Sequence, residues 1–373
     1  MIIAVNTHHL LKGRLEGFGS FADEILSRLV RNHPEHKFLF IFDRDWDESF
    51  IYADNIIPVK TFLPSRHPVL WYTRCEFGIP NILSQHKVDL FLSPDGFMPT
   101  KCKVKTYNVI HDIGFVHNPK GLPKIASKYY NHFFPIFAHN ANRLGTVSEY
   151  SKNDIVKTWG VDPDKIDVIY NGVKTIFKPL SLAEQQQVKA EKSQGAPYFL
   201  YVGSINPRKN IEGLLKAFDA FKEQTSFPHK LLIVGECMWS MSTVDTVLEH
   251  MAHADDVIFL GRVDMTELHR IVASAYALLL VSFLEGFGIP LVEALSCNVP
   301  VITSNCTSMP EVAGDAGLLV DPYSVDSITD AMTQMVIDTD LRSRLIAAAP
   351  KQSSKFTWDK SAIDLWNGIE RLF

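Results

Sequence analysis

The sequence predicts an α/β protein of two doubly wound, parallel-sheet domains. Its 373 residues suit two domains at roughly 150 residues each. Short apolar runs recur along the whole chain and are continuous rather than alternating, as in strands covered on both faces. Helix-length segments separate these runs, and strand–helix alternation builds parallel sheets through right-handed crossovers.

The first series of runs comprises Ile2–Val5, Phe38–Phe42, Val88–Leu92, Thr106–Ile110, Arg143–Val147 and Ile166–Tyr170. The second comprises Tyr198–Val202, Lys230–Val234, Val257–Leu260, Ala277–Val281, Val299–Thr303 and Gly317–Val320. Between them Phe177-Lys178-Pro179 closes the first series. The polar segment Ser181–Gln194 reads as a helix, broken by Gly195-Ala196-Pro197 before the next strand. The expected domains are therefore residues 1–178 and 179–355. Residues 356–373 place Trp358, Ala362, Leu365, Trp366, Ile369 and Leu372 near helical spacing. This last helix can pack on either domain, and a return to the first is the arrangement carried forward. Ligands of open parallel sheets bind beyond the carboxyl ends of the strands. Two such domains, facing one another across a cleft, direct attention to the loops that directly follow strands.

Composition narrows the class. Hydrophobic residues make up 46% and charged residues 21%, ordinary for a globular chain, and no apolar stretch is long enough to span a bilayer. The opening MIIAVNTHH reads as a buried first strand rather than a cleaved leader. Five cysteines, odd in number and in no metal-ligand spacing, suit a reducing cytoplasm. The net charge is -5, with 22 basic against 18 acidic residues in 1–178 and 15 against 24 in 179–373. That mild asymmetry either favours an anionic surface or acceptor on the first half or reflects chance. No basic stripe marks a nucleic-acid binder.

The strongest constellation is Ser282-Phe283-Leu284-Glu285-Gly286-Phe287-Gly288-Ile289-Pro290-Leu291-Val292-Glu293-Ala294. It follows the most apolar run and enters a helix near Pro290, a good first-turn residue. Its glycines allow close approach of backbone to a ligand, and the helix N-terminus offers N–H groups to a phosphate. Glu285 and Glu293 offer acceptors for sugar and ribose hydroxyls. The bland reading is a strand–loop–helix turn with two solvated glutamates.

The segment E-G-F-G-I-P-L-V-E-A-L resembles the signature of the retaining glycosyltransferases of family four. That family has two Rossmann-like domains in the arrangement named GT-B. The resemblance implies that Glu285 lies by the donor sugar and Glu293 holds the ribose hydroxyls, with the backbone of Phe287, Gly288 and Ile289 facing sugar and diphosphate.

Other motifs add to it. Gly203-Ser204-Ile205-Asn206-Pro207-Arg208-Lys209-Asn210 follows the first strand of the second domain. A departing nucleoside diphosphate gains negative charge, which Arg208 and Lys209 would stabilise; which of the two makes the main contact stays open. Many relatives place Arg where this chain has Ser204. In Val109-Ile110-His111-Asp112-Ile113 the resemblance places His111 in the cleft against the donor sugar. The bland reading is a strand-end histidine bonded locally, its tautomer set by Asp112. Glu16-Gly17-Phe18-Gly19-Ser20-Phe21 is not a dinucleotide fingerprint, since Ala22 takes the third glycine's place. It resembles the family's first-domain glycine loop, with Gly17 and Gly19 against donor phosphate and acceptor. Arg262 and Val263 would line the base pocket, and Thr307–Glu311 would close its wall.

Asp43-Arg44-Asp45 has the form of a metal motif but reads as a solvated loop, and with two side-chain cations present no metal or other cofactor is required. Lys120–His139 mixes lysines with aromatics. It is either a membrane-touching face or a helix with its aromatic side in the core. The resulting expectation is a retaining hexosyltransferase acting in the cytoplasm, in reach of the inner membrane face. Its partners are a nucleotide sugar, with GDP-mannose ahead of UDP-linked donors, and a glycan or lipid-linked acceptor in surface polysaccharide synthesis. Closure of the cleft would exclude water from the donor. A nucleotide-sugar 2-epimerase of the same architecture and a non-catalytic sugar-nucleotide binder are the alternatives.

Overall fold

The computed structural model describes all residues except Arg14, Glu16, residues 63–66 and residues 237–241; of Lys120 and Ser242 it describes only the backbone. The chain divides into two compact units, Met1–Asn171 with Trp358–Phe373, and Gly172–Thr357.

The first unit is built on a seven-stranded sheet of β1 (Ile2–Asn6), β2 (Lys37–Phe42), β3 (Ile56–Lys60), β4 (Leu90–Ser93), β5 (Lys105–Val109), β6 (Arg143–Thr146) and β7 (Ile166–Val168). Their order is β3-β2-β1-β4-β5-β6-β7, and every pair is parallel. The chain winds outward from β1 to β3 and then returns to the other side of β1. The switch point therefore lies between β1 and β4, where a crevice opens beyond the strand ends. Strand β3 was not among the expected runs. It carries Pro58, pairs only with β2 and leaves Ile57 exposed, so it lacks the continuous apolar pattern of a central strand.

The second unit holds β8 (Tyr198–Val202), β9 (Lys230–Val234), β10 (Val257–Gly261), β11 (Ala277–Leu280), β12 (Val301–Ser304) and β13 (Gly317–Val320), in the order β10-β9-β8-β11-β12-β13. Its switch point lies between β8 and β11. Every residue of these two strands is buried, which accounts for their continuous apolar runs.

The division between units falls at Asn171/Gly172, before the 178/179 expected. The intervening residues are tied to the second unit. The Val173 amide donates to the Phe356 carbonyl at 3.2 Å, Lys178 O accepts from His269 Nε2 at 2.8 Å, and Phe177 is buried. At the other end, the helix Trp358–Glu370 belongs to the first unit. It lies on the helix Gly17–Asn32, with Arg28 Nε donating to Asp359 at 2.6 Å and Trp366 stacked on His33 at 3.5 Å.

The helix Leu182–Ser193 opens with a reciprocal cap: the Glu184 amide donates to Ser181 Oγ, and the Ser181 amide to the Glu184 carboxylate. Ser181→Ala should therefore cost about 1 kcal/mol, read as a lowered midpoint in urea with an unchanged slope. In the helix Lys124–Asn140, Tyr129, Phe134 and Phe137 are buried while Lys124 and Lys128 are exposed. The aromatic side of the Lys120–His139 stretch thus faces the core. Among the described residues no helix is long and apolar enough to cross a membrane.

Candidate active site

In the second unit, the loops after β8 and β11 meet because those strands are neighbours at the switch point. Asn210, in the left-handed conformation at φ 57°, donates from Nδ2 to the carbonyls of Val281 at 3.1 Å and Pro322 at 2.7 Å. The Phe283 amide donates to Arg208 O at 2.9 Å. These bonds seat Arg208 and Lys209 on Glu285. Arg208 donates from one terminal nitrogen to Glu285 Oε2 at 2.8 Å and to Leu284 O at 2.7 Å. Lys209 Nζ donates to Glu285 Oε1, which also accepts Ser282 Oγ at 2.8 Å. Burial alone would raise the pKa of Glu285. Lys209 and Arg208 outweigh it and hold the carboxylate at about 2.

Glu293 stands in contrast. It lies in the helix Ile289–Ser296, is 8% exposed, and no hydrogen bond reaches its carboxylate among the described residues. Burial raises its pKa from the ordinary 4.5 to about 7, with Lys174 only partly opposing. A buried carboxyl left unsatisfied by the protein is a common mark of a ligand site. The turn into this helix is made by Gly288 at φ 97°, where a Cβ would meet Met309 Cε at 2.6 Å. Ser308 Oγ supports the turn from below, donating to the carbonyls of Glu285 at 3.0 Å and Phe287 at 3.2 Å. The Phe287 ring is buried edge-on against Phe356, so only its backbone is placed to face a ligand. Ile289 is the first helical residue. Arg262 is exposed directly after β10, and Val263 is half-buried beside it.

In the first unit, His111 follows β5 and is buried between the rings of Phe18 at 4.7 Å and Phe21 at 4.6 Å. Its Nε2 lies 2.9 Å from the Pro94 carbonyl. A carbonyl only accepts, so Nε2 carries the proton. Burial lowers the pKa of the ring despite that bond, so the imidazole is neutral with its lone pair on Nδ1. Asp112 does not hold the ring by a hydrogen bond; its Oδ1 accepts the Gly114 amide at 2.9 Å. Gly17 and Gly19 lie in the first turn of the helix Gly17–Asn32 rather than in a loop before it, and Glu16 lies outside the described residues. A Cβ on Gly19 would stand 2.7 Å from His9 O, whereas one on Gly17 would meet no atom of the described residues within 4 Å.

The sequence reading missed the group at the switch point of this first sheet. After β4, Asp95 accepts from Asn6 Nδ2 at 2.8 Å, from Ser93 Oγ at 2.9 Å and from the Phe97 amide at 3.2 Å. His8 Nδ1 lies 2.8 Å and His9 Nε2 3.9 Å from its Oδ2. The buried Arg74 donates to Asn6 Oδ1 at 2.6 Å and to Ile41 O at 3.2 Å. Burial alone would raise the pKa of Asp95; His8 and the surrounding donors hold it well below the carboxylate range. His8, His9 and Asp95 are close enough to share a metal ion. The oxygens of Asp95 are already engaged, and Arg74 adds a buried positive charge nearby, so the group reads better as a balanced network that fixes the two rings. The signal for it was two histidines directly after a strand; nothing local pointed to Arg74. Asp43-Arg44-Asp45 is a loop, but Asp43 is not solvated: it is buried against the guanidinium of Arg44.

Two Rossmann-like sheets with these strand-end loops make a GT-B protein. Sucrose-phosphate synthase from Thermosynechococcus elongatus superposes with a TM-score of 0.81 over 100% of this chain and 99% of that one, at 16% identity, a likeness of fold. The chain belongs to glycosyltransferase family four: residues 16–176 match the profile described as Glycosyltransferase Family 4, and residues 183–352 match Glycosyl transferases group 1. It is 31% identical over 292 residues to O-antigen chain mannosyltransferase B of Escherichia coli, covering 78% of this chain and 76% of that protein. It is 34% identical over 237 residues to O-antigen chain mannosyltransferase RfbU of Salmonella typhimurium, covering 63% of this chain and 62% of that protein.

Proposed function

We propose that the protein is a retaining, metal-independent hexosyltransferase. It would move mannose from GDP-mannose to a glycan or lipid-linked acceptor in surface polysaccharide synthesis, working at the cytoplasmic face of the membrane. The observation that carries this reading is the pairing, beside one glycine turn, of an unsatisfied buried carboxyl with two anchored cations. Glu293 accepts from the ribose hydroxyls, which supply the hydrogen bonds the protein withholds. Arg208 and Lys209 meet the diphosphate, where negative charge grows as the glycosidic bond breaks, so they favour the transition state over the ground state. They supply the charge that a divalent metal would otherwise bring. Glu285 fixes both cations in place and presents the loop backbone to the sugar.

His111, neutral and held by Pro94, accepts a donor-sugar hydroxyl at Nδ1. Retention follows from the family likeness: attack on the face the diphosphate leaves, with the departing phosphate oxygen taking the acceptor proton. The mannose preference rests on the two O-antigen mannosyltransferase relatives. Membrane contact would draw on exposed apolar side chains of the first unit, Val69, Phe77 and Ile125, the last next to exposed Lys124 in sequence.

Thermal shifts with GDP, UDP, ADP and their sugar conjugates, in EDTA and in magnesium, test the donor. GDP and GDP-mannose should raise the melting temperature equally in both. A shift that needs magnesium would sink the metal-free reading, and no shift from any nucleotide would sink the donor site itself.

A further inference from the structure

A cavity lies in the first unit, beyond the carboxyl ends of β1 and β2. It is an open depression of about 410 Å³, lined by Leu10, Lys12, Arg44, Asp45, Trp46 and Asp47 with their neighbours. We infer that this cavity is a subsite for a neutral saccharide, a further sugar unit of the acceptor glycan, gripped by Trp46 and Arg44. The inference rests on the glycosyltransferase reading above for the class of acceptor.

Among the described residues, each cation around the cavity is paired with a carboxylate. Arg44 forks onto buried Asp43, from Nε at 2.7 Å and a terminal nitrogen at 2.9 Å. Lys12 Nζ lies 2.8 Å from Asp47 Oδ2, and Lys60 Nζ lies 2.7 Å from Asp45 Oδ1. With Glu48 beside Trp46 as a fourth carboxylate, these groups leave no net positive field to draw in a phosphate. The same groups place N–H donors and carboxylate acceptors side by side, the pattern that reads hydroxyls. Asp43 holds the guanidinium at its edge by these two bonds, so Arg44 is pre-set and loses little freedom on binding.

Trp46 supplies the apolar element. Its ring stacks on Phe42 at 5.6 Å and its Nε1 donates to Glu48 at 3.2 Å, so the indole is fixed where it lines the cavity. An anchored indole beside paired polar groups suits the C–H face and hydroxyl edge of a pyranose. The volume lies in the range of small-molecule sites, and the cavity sits at strand carboxyl ends, where such sheets bind their ligands.

The test uses the whole chain and three probes, α-1,3-mannobiose, chitobiose and inorganic pyrophosphate, followed by saturation-transfer NMR and tryptophan fluorescence. A disaccharide should bind, weaken by about tenfold or more in Trp46→Ala and in Arg44→Met, and be largely restored in Trp46→Phe. Pyrophosphate should not compete at this site. The nucleotide-induced thermal shift should be the same in all variants, so it reports on the donor reading separately. The inference fails if neither disaccharide binds the unaltered protein at roughly 10 mM, if Trp46→Ala binds as the parent does, or if pyrophosphate displaces the sugar. Should Trp46→Ala not fold, Arg44→Met decides: binding as tight as the parent's overturns the inference.

Discussion

Glu285→Gln should lower kcat by about 100- to 1,000-fold, the scale for removing one preorganised electrostatic contact, while leaving nucleotide affinity unchanged or slightly improved. The split follows from the geometry. In the ligand-free protein the carboxylate balances Arg208 and Lys209. A bound diphosphate supplies that charge itself, so the amide costs little in binding. Turnover suffers because the amide no longer fixes the two cations where charge develops, and small misplacements are expensive. The folded protein should also lose about 2 kcal/mol at neutral pH. That is less than for a fully buried pair, because the Arg208 side chain is 38% exposed and solvent screens it. The sign with pH is definite. The folded carboxylate sits at about 2 against an ordinary 4.5, so its stabilisation is complete above pH 4.5 and fades as the pH falls toward 2. Steady-state kinetics, calorimetric GDP titration and melts across pH measure all three. Full turnover in the variant would remove Glu285 from the machinery.

Glu293→Gln should do the reverse to stability. The folded pKa is raised to about 7 while the unfolded one stays near 4.5, so the native state keeps a proton the unfolded chain gives up. Stability contributed by this group is present below pH 4.5 and declines as the pH rises through 7. The neutral amide escapes that penalty and should stabilise the protein by up to about 3 kcal/mol at pH 8, with little effect at pH 4.5. Nucleotide binding should move in the opposite direction. An ionised carboxylate accepts two ribose hydroxyls, so affinity in the parent should rise through pH 7, and in the variant it should be weak and flat. A higher melting point together with lost binding is the mark of a residue kept for function at the expense of stability. A variant that is less stable at pH 8, or that binds GDP as tightly as the parent, would contradict this role.

Much of the fold was legible in the sequence. Runs such as Tyr198–Val202 and Ala277–Leu280 are continuous because both faces are covered, and their order along the chain specifies parallel sheets. The glutamate pair and its glycine turn were equally plain, since turn, helix start and carboxylates are neighbours in sequence. Strand β3 was not, because an edge strand with Pro58 and an exposed Ile57 carries a weak local pattern. The unit boundary was misplaced for a related reason: the pairing of Val173 with Phe356 and Thr357 joins segments far apart in the chain.

By itself the sequence determined the class of fold and the family and nominated the candidate site residues, all from short windows with a fixed period or spacing. The tertiary structure alone decided how those residues differ. Glu285 and Glu293 are alike in sequence, yet one is saturated by two cations and the other is buried, with no hydrogen-bond partner among the described residues. The Arg74–Asn6–Asp95 network likewise joins three segments that only the sheet brings together. The reason is physical: burial and pairing set the charge state of a carboxyl, and both depend on which strands lie side by side, a long-range outcome that no local pattern encodes.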